Sequence, residues 1–158
     1  MNSPMPQAAA EPEFEFESEA DVRPHGTTQE AWRVLLVDDD PDVHKATVFA
    51  VGAHRFAGRP VKFLHAYNAA QARDLLLVER GLAFILLDVV MESHSAGLEL
   101  VDFIRQTAGH THTRIVLRTG QPGYAPELET ILRYDINDYK SKAELSQLKL
   151  LTLFTTTL

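Results

Sequence analysis

The sequence predicts an α/β fold: a doubly wound, five-stranded parallel sheet with helices on both faces. Two observations predict it. Short apolar runs recur along the chain, two of them stopping abruptly at aspartate, as buried parallel strands do at their carboxyl ends. Between them come stretches with helical spacing, two of them opened by a capping residue.

The elements follow in order. Val34-Leu35-Leu36-Val37 is a strand ended by Asp38-Asp39, and Asp40-Pro41 is an N-cap followed by proline in the first helical position. That helix should run to about Ala53. Residues 61–65 read as a second strand and residues 68–79 as a second helix, capped by Asn68. Residues 84–87 form the third strand, ended by Asp88, and Leu98, Val101 and Ile104 carry the spacing of a third helix. Residues 114–117 make the fourth strand, stopped at Thr119-Gly120-Gln121-Pro122-Gly123. A short helix over 126–134, a fifth strand over 136–139 and a last helix from Glu144 complete the alternation.

Composition narrows the function classes. A chain of 158 residues, 45% hydrophobic and 23% charged, suits one soluble domain and is short for two. With no cysteine, disulfides, iron–sulfur clusters and thiolate zinc sites are excluded, which fits a reducing cytoplasm. Apolar runs such as 84–87 are far short of a membrane span, and no signal peptide is visible. The net charge of −7 is concentrated in residues 1–31, where seven acids face one base; residues 32–158 hold fifteen acids and fourteen bases. An acidic leader over 1–31, disordered on composition, and a nearly neutral domain over 32–158 are therefore expected. Direct nucleic-acid binding, which needs clustered Lys and Arg on one face, is not.

Sites in open parallel α/β sheets form beyond the carboxyl ends of the strands. Those ends deliver Asp38 and Asp39, Asp88, Thr119 and Lys142. Crowded carboxylates repel one another, and a hard divalent cation such as Mg²⁺ relieves that repulsion. An ammonium and a hydroxyl beside the metal would serve the remaining oxygens of a phosphoryl group, and a carboxylate at this edge can act as the nucleophile that forms an acyl phosphate.

The run Val34-Leu35-Leu36-Val37-Asp38-Asp39-Asp40-Pro41 resembles the opening of a response-regulator receiver of two-component systems. So do Ile85-Leu86-Leu87-Asp88-Val89-Val90-Met91, the following Gly97-Leu98-Glu99-Leu100, and Asp138-Tyr139-Lys140-Ser141-Lys142. The resemblance covers about residues 32–155 and implies a flavodoxin-like, CheY-like sheet of order 2-1-3-4-5. It implies Asp38, Asp39, Asp88 and the Val90 carbonyl as Mg²⁺ ligands, Asp88 as phosphoryl acceptor, and Thr119, Tyr139 and Lys142 as switch hydroxyl, switch aromatic and catalytic lysine. It also implies a histidine kinase or phosphotransfer protein as partner. Leu117-Arg118-Thr119-Gly120-Gln121-Pro122-Gly123 and Tyr134-Asp135-Ile136-Asn137-Asp138-Tyr139-Lys140 are similar to multidomain regulators whose receiver precedes a cyclic-di-GMP phosphodiesterase output. No such output is expected within this sequence.

The sequence departs from the family's pattern at Glu92 and Ala143, where prolines are usual, and at Gly120, where alanine is common. A trans Lys142–Ala143 bond is expected, since a non-prolyl cis bond costs about 2.5–4 kcal/mol. Gly120 should open the phosphoryl pocket slightly. Asp40 is read as a helix cap, Lys140 as the weaker competitor of Lys142, and the scattered histidines as packed or solvated. Leu145, Leu148, Leu150, Leu151, Leu153 and Phe154 surround much of the last helix, so core packing, a homodimer through the fourth helix, fifth strand and last helix, or an output region outside this sequence would use them. Two rival functions fit these residues less well. An aspartate-nucleophile phosphohydrolase would need an acid at Val90, and a receiver-like interaction module independent of phosphorylation would not need the five-residue set.

Overall fold

The structure is a computed structural model and describes residues 30–120 and 127–158. The expected acidic leader lies, but for its last two residues, outside them, as do Gln121-Pro122-Gly123. The elements run β1 (Trp32–Val37), α1 (Pro41–Val51), β2 (Arg55–Phe56), β3 (Arg59–Ala66), α2 (Ala69–Val78) and β4 (Leu82–Asp88). Then come α3 (Ala96–Asp102), a π-helical turn (Phe103–Thr107), β5 (Arg114–Thr119), α4 (Glu127–Tyr134), β6 (Asp138–Ser141), a 3₁₀ turn (Lys142–Glu144) and α5 (Gln147–Thr157).

The sheet order is β2-β3-β1-β4-β5-β6, six strands rather than the expected five. The addition is β2, two residues paired antiparallel to β3 at the sheet edge. Ala57 and Gly58 both have positive φ (47° and 78°), the backbone of a tight two-residue hairpin turn. The other five strands pair in parallel in the predicted order. The last of them begins two residues later than expected. Asn137 instead joins the sheet margin through its side chain, whose Oδ1 accepts from the Ile115 N–H at 2.7 Å.

Strand alternation sorts the core into two halves. Leu35, Val37, Ile85, Leu87, Ile115 and Leu117 pack with α2 and α3. Val34, Leu36, Phe84, Leu86 and Val116 pack on the other face with Leu150, Leu153 and Phe154 of α5 and with Ala50 and Val51 of α1. One side of α5 thus covers the sheet, while Leu148 on its other side is 74% exposed.

Helix starts follow the local chemistry. Asp40 accepts from Asp42 N–H at 2.9 Å, and Asn68 accepts from Gln71 N–H at 2.8 Å while Gln71 Oε1 accepts from Tyr67 N–H at 2.9 Å. Glu92, one of the departures from the family pattern, accepts from Ala69 N–H at 3.0 Å and so sets an anion at the start of α2. The third helix ends differently from expectation: after Asp102 it widens into the π turn, with Ala108 N–H donating to Phe103 O. Arg105, on this turn, donates to the carbonyls of His110, Thr113 and Asp135 and so ties two loops together. Among the described residues no peptide bond is cis, so Lys142–Ala143 is trans as expected.

Candidate functional site

Continuing the alternation past Leu36, Leu86 and Val116 puts Asp38, Asp88 and Arg118 on the sheet face covered by α1 and α5. Asp38 is fully buried, Asp88 and Arg118 nearly so, and Asp39 is exposed at the turn into α1. Asp38, Asp39 and Asp88 each offer a carboxylate oxygen, all within 4.8 Å of one another. An all-oxygen donor set of this kind suits a hard divalent cation.

Lys142 reaches this cluster from the 3₁₀ turn just past β6. Its Nζ lies 2.7 Å from Asp88 Oδ2 and 2.9 Å from Asp38 Oδ2, bridging the two acids. Lys140, the competitor, pairs instead with Asp138 at 3.2 Å. The strand ends at Ser141, so alternation no longer governs where Lys142 points. Thr119, at the end of β5, is fully buried, and Tyr139 is turned into the core among the α2–α3 half. The Val90 N–H donates to Asp88 Oδ1 at 3.3 Å, which folds the loop after β4 back over the carboxylate.

Burial raises the Asp88 carboxyl above its ordinary value, against the downward pull of Lys142, with the Asp38 charge adding to the rise. For Lys142 burial works downward, but its hydrogen bonds and charge attraction with Asp88 and Asp38 together hold the ammonium above its ordinary value. Both effects describe one bridge: a partly desolvated acid and a cation whose charge it stabilises.

Two contributors were missed from sequence. Arg118 Nη2 lies 3.2 Å from Asp38 Oδ2, and its Nη1 donates to Thr47 Oγ1 at 3.2 Å. A basic residue closing the apolar run Ile115-Val116-Leu117 was the available signal, in the same alternation as Val116. His44, buried in α1, places Nε2 2.8 Å from the Asp38 carbonyl and Nδ1 2.8 Å from His65 Nδ1. The carbonyl can only accept, so His44 donates from Nε2; as a neutral imidazole it then accepts at Nδ1 from His65 Nδ1. This relay pins the backbone from which Asp39 departs; the separation of the two histidines in sequence hid it.

Gly97, at the start of α3, packs directly on the strand end that carries Asp88. A Cβ there would stand 2.1 Å from the Asp88 carbonyl oxygen and 2.7 Å from Val89 Cα. At Gly120 the nearest obstacle to a Cβ is Lys142 Cδ at 3.9 Å, an ordinary contact distance.

The architecture is the CheY-like receiver fold. The chemotaxis protein CheY4 of Vibrio cholerae superposes with a TM-score of 0.67 at 21% identity, covering 81% of this chain and 99% of that one. The signal receiver domain of an HD domain-containing protein from Pseudomonas fluorescens Pf-5 gives 0.64 at 20% identity, covering 80% and 94%. In sequence the chain is 44% identical over 126 residues to the 3′3′-cGAMP-specific phosphodiesterase 2 of Vibrio cholerae serotype O1, a match covering 80% of this chain. It spans only 24% of that protein's length. No family model matches the chain. Among the described residues, no helix is long and apolar enough to cross a membrane.

Proposed function

We propose that this chain is a phosphoryl-accepting receiver of two-component signalling, acting in the cytoplasm, with Asp88 as acceptor. The observation that carries this reading is the Lys142 bridge, 2.7 Å from Asp88 and 2.9 Å from Asp38, beside a third carboxylate. An Asp88 oxygen attacks the phosphorus of a phosphohistidine on a histidine kinase or phosphotransfer protein. The P–N bond breaks as the acyl phosphate P–O bond forms, and the departing imidazole takes up a proton. Mg²⁺, held by Asp38, Asp39, Asp88 and the Val90 carbonyl, supplies charge neutralisation for the phosphoryl oxygens. Lys142 follows its partner from carboxylate to phosphate, and Thr119 binds a phosphoryl oxygen. Movement of Thr119 is relayed through Tyr139 to the surface of α4, β6 and α5, a population shift between two states. Leu132 and Leu148, both exposed, lie on α4 and α5, where a second copy or an output region would dock. The similarity to a phosphodiesterase supports an output that degrades a cyclic dinucleotide, with this chain as its control element and not the enzyme.

Acetyl phosphate with Mg²⁺ should yield an adduct that hydroxylamine removes and that chelation of the metal prevents. No adduct, together with an unchanged spectrum on adding beryllofluoride, would leave the phosphorylation-independent interaction module as the better reading. The lifetime of the adduct is a separate expectation. Val90, two residues past the acceptor, cannot hydrogen-bond an attacking water, so the acyl phosphate should be long-lived. Loss of labelled phosphate within seconds would refute that.

A further inference from the structure

The acidic cluster has a second cation that its proposed chemistry does not require. Arg118 is 2% exposed and rises from β5 beneath the acids. Its Nη2 meets Asp38 Oδ2, the same oxygen that Lys142 holds, while the Asp40 N–H donates to Asp38 Oδ1 at 3.0 Å. Both oxygens of Asp38 are therefore engaged. The two cations are not equally free to let go: Lys142 has the Asp88 carboxylate as a second ion-pair partner, whereas the second hydrogen bond of Arg118 among the described residues goes to the neutral Thr47 hydroxyl. That hydroxyl is itself fixed, donating to Val43 O at 2.8 Å. Among the described residues Arg118 Nε is buried without a hydrogen-bond partner, a cost the fold bears to keep the guanidinium where it is.

Charge shows what this placement does. Three carboxylates face two cations, so the metal-free site carries one net negative charge. A divalent metal turns it positive by one, and an aspartyl phosphate dianion in place of the Asp88 carboxylate then brings it to neutrality. Without Arg118 each of these states is one charge more negative. The free site would then attract the metal more strongly, and the phosphorylated site would carry an unbalanced charge in a partly buried place.

We propose that Arg118 is a positioning and charge-setting residue of the phosphoryl site: anchored by Thr47, it withholds Asp38 from the metal and favours the phosphoryl-bearing state. This role rests on the phosphoacceptor reading. The test is calorimetric titration of the whole chain with Mg²⁺ alone, then with beryllofluoride at saturating Mg²⁺, for wild type, Arg118→Gln and Arg118→Lys. Arg118→Gln should bind Mg²⁺ about tenfold more tightly and beryllofluoride about tenfold more weakly, while Arg118→Lys stays near wild type. Opposite signs are the diagnostic feature, because a merely structural loss would weaken both or neither. Unchanged constants, or two shifts in one direction that follow denaturant stability, overturn the proposal. If Arg118→Gln does not fold, Thr47→Val serves instead. It should move both constants the same ways by smaller factors, and no movement is again fatal. Wild type that takes Mg²⁺ but no beryllofluoride defeats the phosphoacceptor reading and this role with it. Wild type that takes both, with the variants unchanged, defeats this role alone.

Discussion

Asp88→Asn should abolish phosphoryl acceptance while leaving a folded, more stable domain. The amide is nearly isosteric but lacks the nucleophilic oxygen pair, so acetyl phosphate should leave no adduct, and beryllofluoride should change the wild-type spectrum and not that of the variant. Stability should move the other way. Burial holds the Asp88 carboxyl above its ordinary value, so across the interval from the ordinary carboxylate range up to the folded value the native state binds the extra proton. Stability is then lost as pH rises through that interval, and above it the penalty is fully present. Asparagine removes it, and Lys142 keeps Asp38 as a partner. In metal-free buffer the melting temperature of Asp88→Asn should exceed that of wild type at pH 7 and converge on it in acid. A lower melting temperature at pH 7 would show that the Lys142 bridge outweighs the desolvation of Asp88.

Gly97→Ala should be the most damaging single-methyl change near the site. Its Cβ would sit 2.1 Å from the Asp88 carbonyl oxygen, and that oxygen is backbone on a central strand with nowhere to retreat. The Gly97 N–H also donates to Val89 O at 3.1 Å, so α3 cannot back away without losing this contact. A cost of about 3 kcal/mol or more is expected in urea denaturation, the upper range for overpacking. The surviving folded fraction should accept phosphoryl groups poorly, because the same displacement tilts Asp88 away from Lys142. Gly120→Ala is the internal control: its Cβ meets Lys142 only at ordinary contact distance, and stability should stay within about 0.5 kcal/mol. Equal stability of the two variants would refute the close-approach account.

Much of this domain was legible in the sequence because its determinants are local. Apolar runs of strand length, Asp40-Pro41 and Asn68 mark strand interiors and helix starts through backbone chemistry that needs no distant partner. The misses share one cause. The β2 hairpin rests on positive φ at Ala57, a residue that does not ordinarily advertise it, and the π turn after α3 answers to the two loops that Arg105 ties together. Glu92 looked like a blemish in a loop until α2 came to lie beside it.

The site divides in the same way. The order of residues along the chain, with acids closing β1 and β4, determined that Asp38, Asp39 and Asp88 reach one edge, since parallel strands deliver their carboxyl ends to the same side. Sequence also placed Thr119 and Lys142 at that edge. What only the tertiary structure decided is how the charges are shared: Lys142 between two acids, Arg118 beneath Asp38, and His44 on its carbonyl. Those pairings join residues as far apart in the chain as Asp38 and Lys142. They exist because burial leaves each polar group no water to bond and obliges it to find its partner across the fold.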